Sequence, residues 1–255
     1  MSPIPSLAVL AIAALALTGC GDAVRSIPEP TGQISLTEST TPPAADVGTA
    51  ADAASSTAHP IATIASAVTV HTGPAIDTPA VSVSATTPYG TSRTLRVVEA
   101  TTDGQWLRVV VPARPNNTTG WVAAADVDLR AVTHRIAVDL SDRTLVLTDG
   151  AEEVIRTTVA VGTAENPTPT GQFFVTDKIA TNPDGAYGPF AFGVAAWSDT
   201  LSEFGDGDGQ IAIHGTDQPA VLGTAASHGC IRVPNDVADR LAALLPLGVP
   251  VDIQA

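Results

Sequence analysis

Basic residues, cysteines and membrane-length apolar runs are all scarce in this chain of 255 residues, and each scarcity excludes something. Lysine and arginine total 12 against 26 aspartates and glutamates, for a formal net charge of −14. Phosphate binding needs a basic face, so nucleic acid is excluded as a partner. The apolar run over residues 7–17 is too short for a transmembrane helix, which needs about 20 residues. No lysine or arginine precedes that run. Cysteine occurs only twice, at Cys20 and Cys230.

The run over residues 7–17 reads as the apolar core of a secretory signal. Leu17-Thr18-Gly19-Cys20 follows it and resembles a bacterial lipobox, which implies that residues 1–20 are the signal and that Cys20 carries lipid. The expected location is outside the cell, lipid-anchored to the outer face of the membrane and facing the wall. Residues 21–60 are rich in Thr, Ser, Ala, Pro and Asp, with no apolar period. Such a stretch buries too little to offset its ordering entropy, and a disordered tether is expected. Its root-mean-square reach is roughly 35 Å. With Cys20 lipidated, Cys230 is the one thiol left in an oxidising compartment, a liability unless its reactivity is used.

Residues 61–130 change to short alternating segments. Val68-Thr69-Val70, Val81-Ser82-Val83, Leu95-Arg96-Val97 and Trp106-Leu107-Arg108-Val109 alternate as half-buried strands do. Thr72-Gly73-Pro74, Pro88-Tyr89-Gly90 and Asp103-Gly104 mark turns. The sequence Asp103-Gly104-x-Trp106-Leu107, a proline-rich turn and Gly120-Trp121-Val122 resemble a bacterial SH3-like β-barrel. Trp106 and Trp121 are expected in its core, with ligand stacking as the other reading.

Residues 131–255 are expected to form one catalytic domain. Strands are read at 135–140, 144–147 and 154–161, with Asp149-Gly150 as a tight turn. Residues 180–209 lack regular pattern and are rich in Gly, Asp and Pro, so a long substrate lid is expected, with Tyr187 in its wall. Gln210-Ile211-Ala212-Ile213 reads as a buried strand that delivers His214. Asn235 or Asp236 is expected to cap a helix whose apolar face is Val237, Leu241, Leu244 and Leu245. Residues 249–253 follow as an edge strand, because Pro250 would be awkward in a central one.

Chemistry concentrates in His214-Gly215-Thr216 and Ser227-His228-Gly229-Cys230-Ile231-Arg232-Val233. A cysteine beside glycine, with imidazoles in reach, supplies what thiol acyl transfer requires: a nucleophile, a base and backbone N–H groups for an oxyanion. The two halves, together with Pro167-Thr168-Pro169-Thr170-Gly171-Gln172-Phe173, resemble the signature of the L,D-transpeptidases, the YkuD-type catalytic domain. The resemblance implies a mainly β fold, with a β-sandwich-like catalytic domain and one short C-terminal helix after the SH3-like barrel. It also implies peptidoglycan stem peptides as partners, a tetrapeptide donor and a diamino-acid acceptor, and no cofactor.

The resemblance assigns Cys230 as nucleophile and His214 as general base, with a depressed thiol pKa and an ion pair between them. A backbone carbonyl near Gly215 is expected to orient His214. The N–H groups of Gly229 and Cys230 are the expected oxyanion donors. His228 is assigned a structural or substrate-contacting role, and Tyr187 and Ser227 are expected at the substrate. Arg232 has two readings: pairing with a substrate carboxylate, or bridging to Asp236 or Asp239. Three functions fit the residues: a transpeptidase releasing terminal D-Ala, an L,D-carboxypeptidase whose acyl-enzyme is taken by water, and a non-catalytic zinc or wall-binding module using His214, His228 and Cys230.

Overall fold

Alternating segments of the sequence build two large sheets, with one short two-stranded pair beside them. The computed structural model describes residues 25–26, 58–205 and 207–255. Cys20, the signal and most of the expected tether lie outside the described residues. Within the expected tether, β1 (Arg25–Ser26) pairs antiparallel with a strand of the C-terminal domain.

The first sheet contains β2 (His59–Thr63), β3 (Val68–His71), β4 (Ala80–Val83), β5 (Thr94–Ala100), β6 (Trp106–Val110), β7 (Thr119–Ala123) and β8 (Asp128–Val132). Its order is β4-β3-β7-β6-β5-β2-β8, and every pair is antiparallel. Alternation places Val68, Val70, Leu95, Val97, Leu107, Val109 and Val122 in one core. Trp106 and Trp121 alternate with those residues and so stand on the other face, half-buried rather than in the core. There His71 meets the Trp106 ring edge-on, with centroids 5.3 Å apart.

The C-terminal domain begins with β9 (His134–Asp139), β10 (Thr144–Asp149) and β11 (Glu152–Thr158), followed by the short β12 (Val161–Gly162). It continues through β13 (Gly171–Ala180), β14 (Phe190–Trp197), β15 (Gln210–His214), β16 (Ala225–Ser227) and β17 (Ile231–Arg232). The helix α1 (Asn235–Leu244) and β18 (Pro250–Gln254) complete it. The main sheet runs β11-β10-β9-β18-β13-β14-β15-β17, with β1 added on β13, while β12 and β16 pair separately in parallel.

Four sequence expectations change here. Residues 180–209 are not one lid: β14 lies within them, leaving separate loops at 181–189 and 198–209. β18 is central rather than an edge, parallel to β9 and antiparallel to β13. Pro250 is tolerated because it is the first residue of the strand. Asn235 does not cap α1: Pro234 holds that position, and Asn235 Oδ1 instead accepts from the Thr216 N–H at 2.7 Å. On the helix, Val237, Ala238 and Leu241 are buried and Leu245 follows them into the core, while Leu244 is exposed.

The two domains share polar and apolar contacts. Phe174 and Ala195 of the C-terminal domain enter the first core, and Ile61 and Val132 enter the second. Asp252 pairs with Arg96 at 3.0 Å and Arg135 at 2.6 Å. Arg114 donates to the carbonyls of Ser198, Leu201 and Asp208, and Asn116 brackets Trp197 through its N–H and its carbonyl. The N-terminal domain is therefore seated on the loops that surround the site.

Candidate active site

Register places the key residues together. Ile213 pairs with Ile231, and His214 with Arg232, in the parallel ladder of β15 and β17. Ile213 and Ile231 are fully buried in the core. Their neighbours Ala212, His214, Cys230 and Arg232 therefore share the opposite face. Sequence-distant residues meet because two short strands lie side by side at the end of the sheet.

His214 is buried at the end of β15, and its Nδ1 lies 2.5 Å from the carbonyl oxygen of Gly215. The Tyr187 ring lies 4.7 Å from the imidazole, centroid to centroid, at 58°. Close backbone packing holds this wall in place. A Cβ on Gly188 would sit 2.7 Å from Gly215 Cα and 2.4 Å from Asn235 Oδ1, and Gly188 has φ +60°. Gly215 is equally crowded, by Asn235, Pro189 and Gly188. Only glycine lets the Tyr187 loop approach the backbone after His214 so closely.

The Cys230 loop is braced from inside. Ser227 is buried; its hydroxyl donates to the Cys230 carbonyl at 2.5 Å and accepts from the Gly229 N–H at 3.1 Å. Thr168, also buried, donates to the Gly229 carbonyl at 2.9 Å and accepts from the Gly162 N–H at 2.9 Å. Gly229 has φ +117°, and a Cβ there would meet Ile211 Cδ1 at 2.8 Å. Both polar groups of Gly229 are thus engaged, so its N–H is not free for an oxyanion. Among the described residues, the Cys230 N–H has no hydrogen-bond partner. Ser227 turns inward to the loop rather than toward a substrate.

Burial sets the protonation states. It pushes the His214 pKa down to about 4, with Arg232 contributing, while the Gly215 carbonyl opposes the change. Burial pushes the Cys230 thiol up, against a backbone hydrogen bond from Ala212 and the charge of Arg232. The expected thiolate–imidazolium pair is thereby replaced by a neutral thiol beside a neutral imidazole, because desolvation disfavours both charged forms. No direct hydrogen bond joins the two side chains.

Among the described residues, Arg232 forms no ion pair with Asp236 or Asp239, and its Nε is buried without a partner. Of its two readings, the bridge at the helix start is not made. His228 is exposed, with its ring 4.9 Å from Phe204 of the loop at 198–209. Among the described residues, no three His, Cys, Asp or Glu side chains are placed to share a metal ion. Sequence reasoning missed Thr168 and Asn235. Thr168 sat inside a turn motif, and nothing local indicates that its hydroxyl reaches the loop of Cys230. Asn235 was read as a cap.

Residues 133–253 match the family model described as the L,D-transpeptidase catalytic domain, YkuD. A curated protein of Bacillus subtilis named "Putative L,D-transpeptidase YkuD" is 29% identical over 150 residues, covering 56% of this chain and 84% of that protein. Its namesake from Bacillus licheniformis is 34% identical over 122 residues, covering 48% and 66%. Among solved structures, an L,D-transpeptidase from Mycobacterium smegmatis aligns over 63% of this chain and 82% of its own, with 16% identity and a TM-score of 0.43.

Proposed function

We propose that the protein is a cysteine L,D-transpeptidase acting on peptidoglycan stem peptides. The observation that carries this reading is the shared sheet face of Cys230 and His214, with the Arg232 Nε beside them unpartnered among the described residues, inside a domain that matches that catalytic family.

In the proposed reaction, Cys230 Sγ attacks the L-centre carbonyl that precedes the terminal D-residue of a tetrapeptide. The thiol proton passes to His214 Nε2, because Nδ1 is committed to the Gly215 carbonyl. A neutral thiol and a neutral imidazole react by proton transfer during attack, which needs no ion pair in the resting site. The Cys230 N–H faces the developing oxyanion while Ser227 and Thr168 hold the loop in place. Collapse breaks the C–N bond, and His214 returns the proton to the leaving D-Ala amine. The thioester then passes to the side-chain amine of a second stem; the C–S bond breaks, and the amine proton returns through His214 to the thiol. Arg232 takes the substrate carboxylate, and Tyr187 walls the cleft above His214.

The surrounding assignments belong to the same proposal. Residues 1–20 export the chain, Cys20 anchors it by lipid outside the cell, and the sheet over residues 59–132 is an SH3-like module.

Cys230→Ala and His214→Gln variants test the core of this reading in an assay that follows D-Ala release from disaccharide-tetrapeptide. Both are expected to lose turnover by at least about 10³-fold. A Cys230→Ala protein that still releases D-Ala removes the basis of the mechanism.

A further inference from the structure

The N-terminal domain reaches the same cleft as the nucleophile. Asp177 of β13 pairs with Gly193 of β14, and Gly193 pairs with Ala212 of β15. The ladder of β15 and β17 sets Ala212 level with Cys230. A second row runs from Ile179 through Ala191 and His214 to Arg232. Paired residues point the same way, so both rows lie on the face of Cys230 and His214. The opposite face is occupied by the helix: Lys178 Nζ donates to the carbonyls of Ala242 and Leu245 at its C-terminal end.

Between Cys230 and Asp177, the floor of these rows is Ala212, Gly193 and Ala191, the smallest side chains available. This floor is a low trough that is partly exposed at Ala212 and Ala191 and buried at Gly193 and Asp177. Three strand spacings separate Cys230 from Asp177, about 14 Å along the row.

The far end of this trough is covered by residues 84–93 of the N-terminal domain. Thr87 Oγ1 donates to Asp177 Oδ1 at 2.5 Å, and both residues are buried. The loop is closed on itself. The Thr87 N–H donates to the Thr91 carbonyl at 2.9 Å and the Gly90 N–H to the Thr87 carbonyl at 3.0 Å, with Gly90 at φ +78°. Arg93 straps it further, donating to the carbonyls of Ser84 and Thr86. This tightly held turn carries Tyr89, which is 46% exposed although no core requires an aromatic there. Partial burial, and then the charges of Asp177, Asp208, Tyr187 and Cys230, push its hydroxyl pKa up.

We propose that Tyr89 is a substrate-positioning wall of the cleft, supplied by the N-terminal domain, which stacks on the donor stem beyond the residue being acylated. The inference rests on the transpeptidase reading and adds a role for the first domain: it completes the donor site, with Tyr187 at the reacting end and Tyr89 at the far end.

The test compares full-length wild type with Tyr89→Ala and Tyr89→Phe, using disaccharide-tetrapeptide as donor and iodoacetamide as a small reagent for Cys230. Tyr89→Ala is expected to raise KM for the donor about tenfold with kcat within about twofold, the scale of one lost aromatic contact. Tyr89→Phe should stay near wild type, and alkylation of Cys230 should be unchanged in both. Wild-type KM in Tyr89→Ala overturns the role of Tyr89 and leaves the transpeptidase reading standing. Loss of alkylation together with turnover marks Tyr89 as structural and also overturns it. Wild-type protein that forms no acyl-enzyme with the donor overturns both.

Discussion

The imidazole of His214 donates from Nδ1 to the carbonyl oxygen of Gly215 across 2.5 Å. A carbonyl only accepts, so the ring proton sits on Nδ1 and the Nε2 lone pair is left for chemistry. The group that orients the base is thus the backbone of the next residue.

This arrangement makes stability depend on pH. The His214 pKa is near 4 when folded, against 6.5 for an unperturbed histidine. Between those values the unfolded chain binds more protons than the folded one. The stabilisation is therefore complete above about pH 6.5 and is lost as pH falls toward 4, by roughly 3 kcal/mol in all. Denaturant unfolding of wild type and His214→Gln between pH 4 and pH 7 checks this. The wild-type curve should fall more steeply, and parallel curves would contradict it.

Arg232 pulls down both the buried imidazole and the thiol. Replacing it with Gln should move the pH profile of Cys230 alkylation to higher pH and slow alkylation at neutral pH. Arg232→Lys should recover part of the loss, because the charge is retained. If Arg232 matters only for packing, the profile should keep its midpoint in both variants.

Thr168 supports the Cys230 loop without facing the cleft. Thr168→Val keeps the shape but leaves the Gly229 carbonyl and Gly162 N–H without their partner. Unsatisfied buried groups cost about 1–3 kcal/mol each. Acyl-enzyme formation is expected to slow by about 10- to 100-fold, with a lower unfolding midpoint. Wild-type acylation in a destabilised protein would mean that Thr168 supports the fold alone.

Much of this was legible in the sequence wherever a pattern is local. The alternating segments became β3, β4, β5 and β6, and Gln210–His214 became the strand that carries His214. β14 escaped because Phe190–Trp197 is apolar almost throughout: a strand buried on both faces shows no alternation. The central place of β18 depends on pairing with β9, more than a hundred residues upstream, which a proline-based edge rule does not register. The protonation states were misread for a similar reason. A motif gives proximity of imidazole and thiol, whereas desolvation depends on Ile211, Ile213 and Ile231 closing the site from below. Likewise the Gly229 N–H was assigned from its place beside the cysteine, while its actual partner is the Ser227 hydroxyl two residues earlier.

The most direct measurement is intact-mass spectrometry of the purified protein with disaccharide-tetrapeptide, first alone and then with an acceptor stem. The account predicts a covalent adduct on Cys230 that has lost D-Ala, resolving into a cross-linked dimer when acceptor is added. An adduct that yields only free tripeptide, with acceptor present, would contradict transpeptidation and make the protein an L,D-carboxypeptidase. Absence of any adduct, with Cys230 freely alkylated, would contradict the thiol mechanism itself.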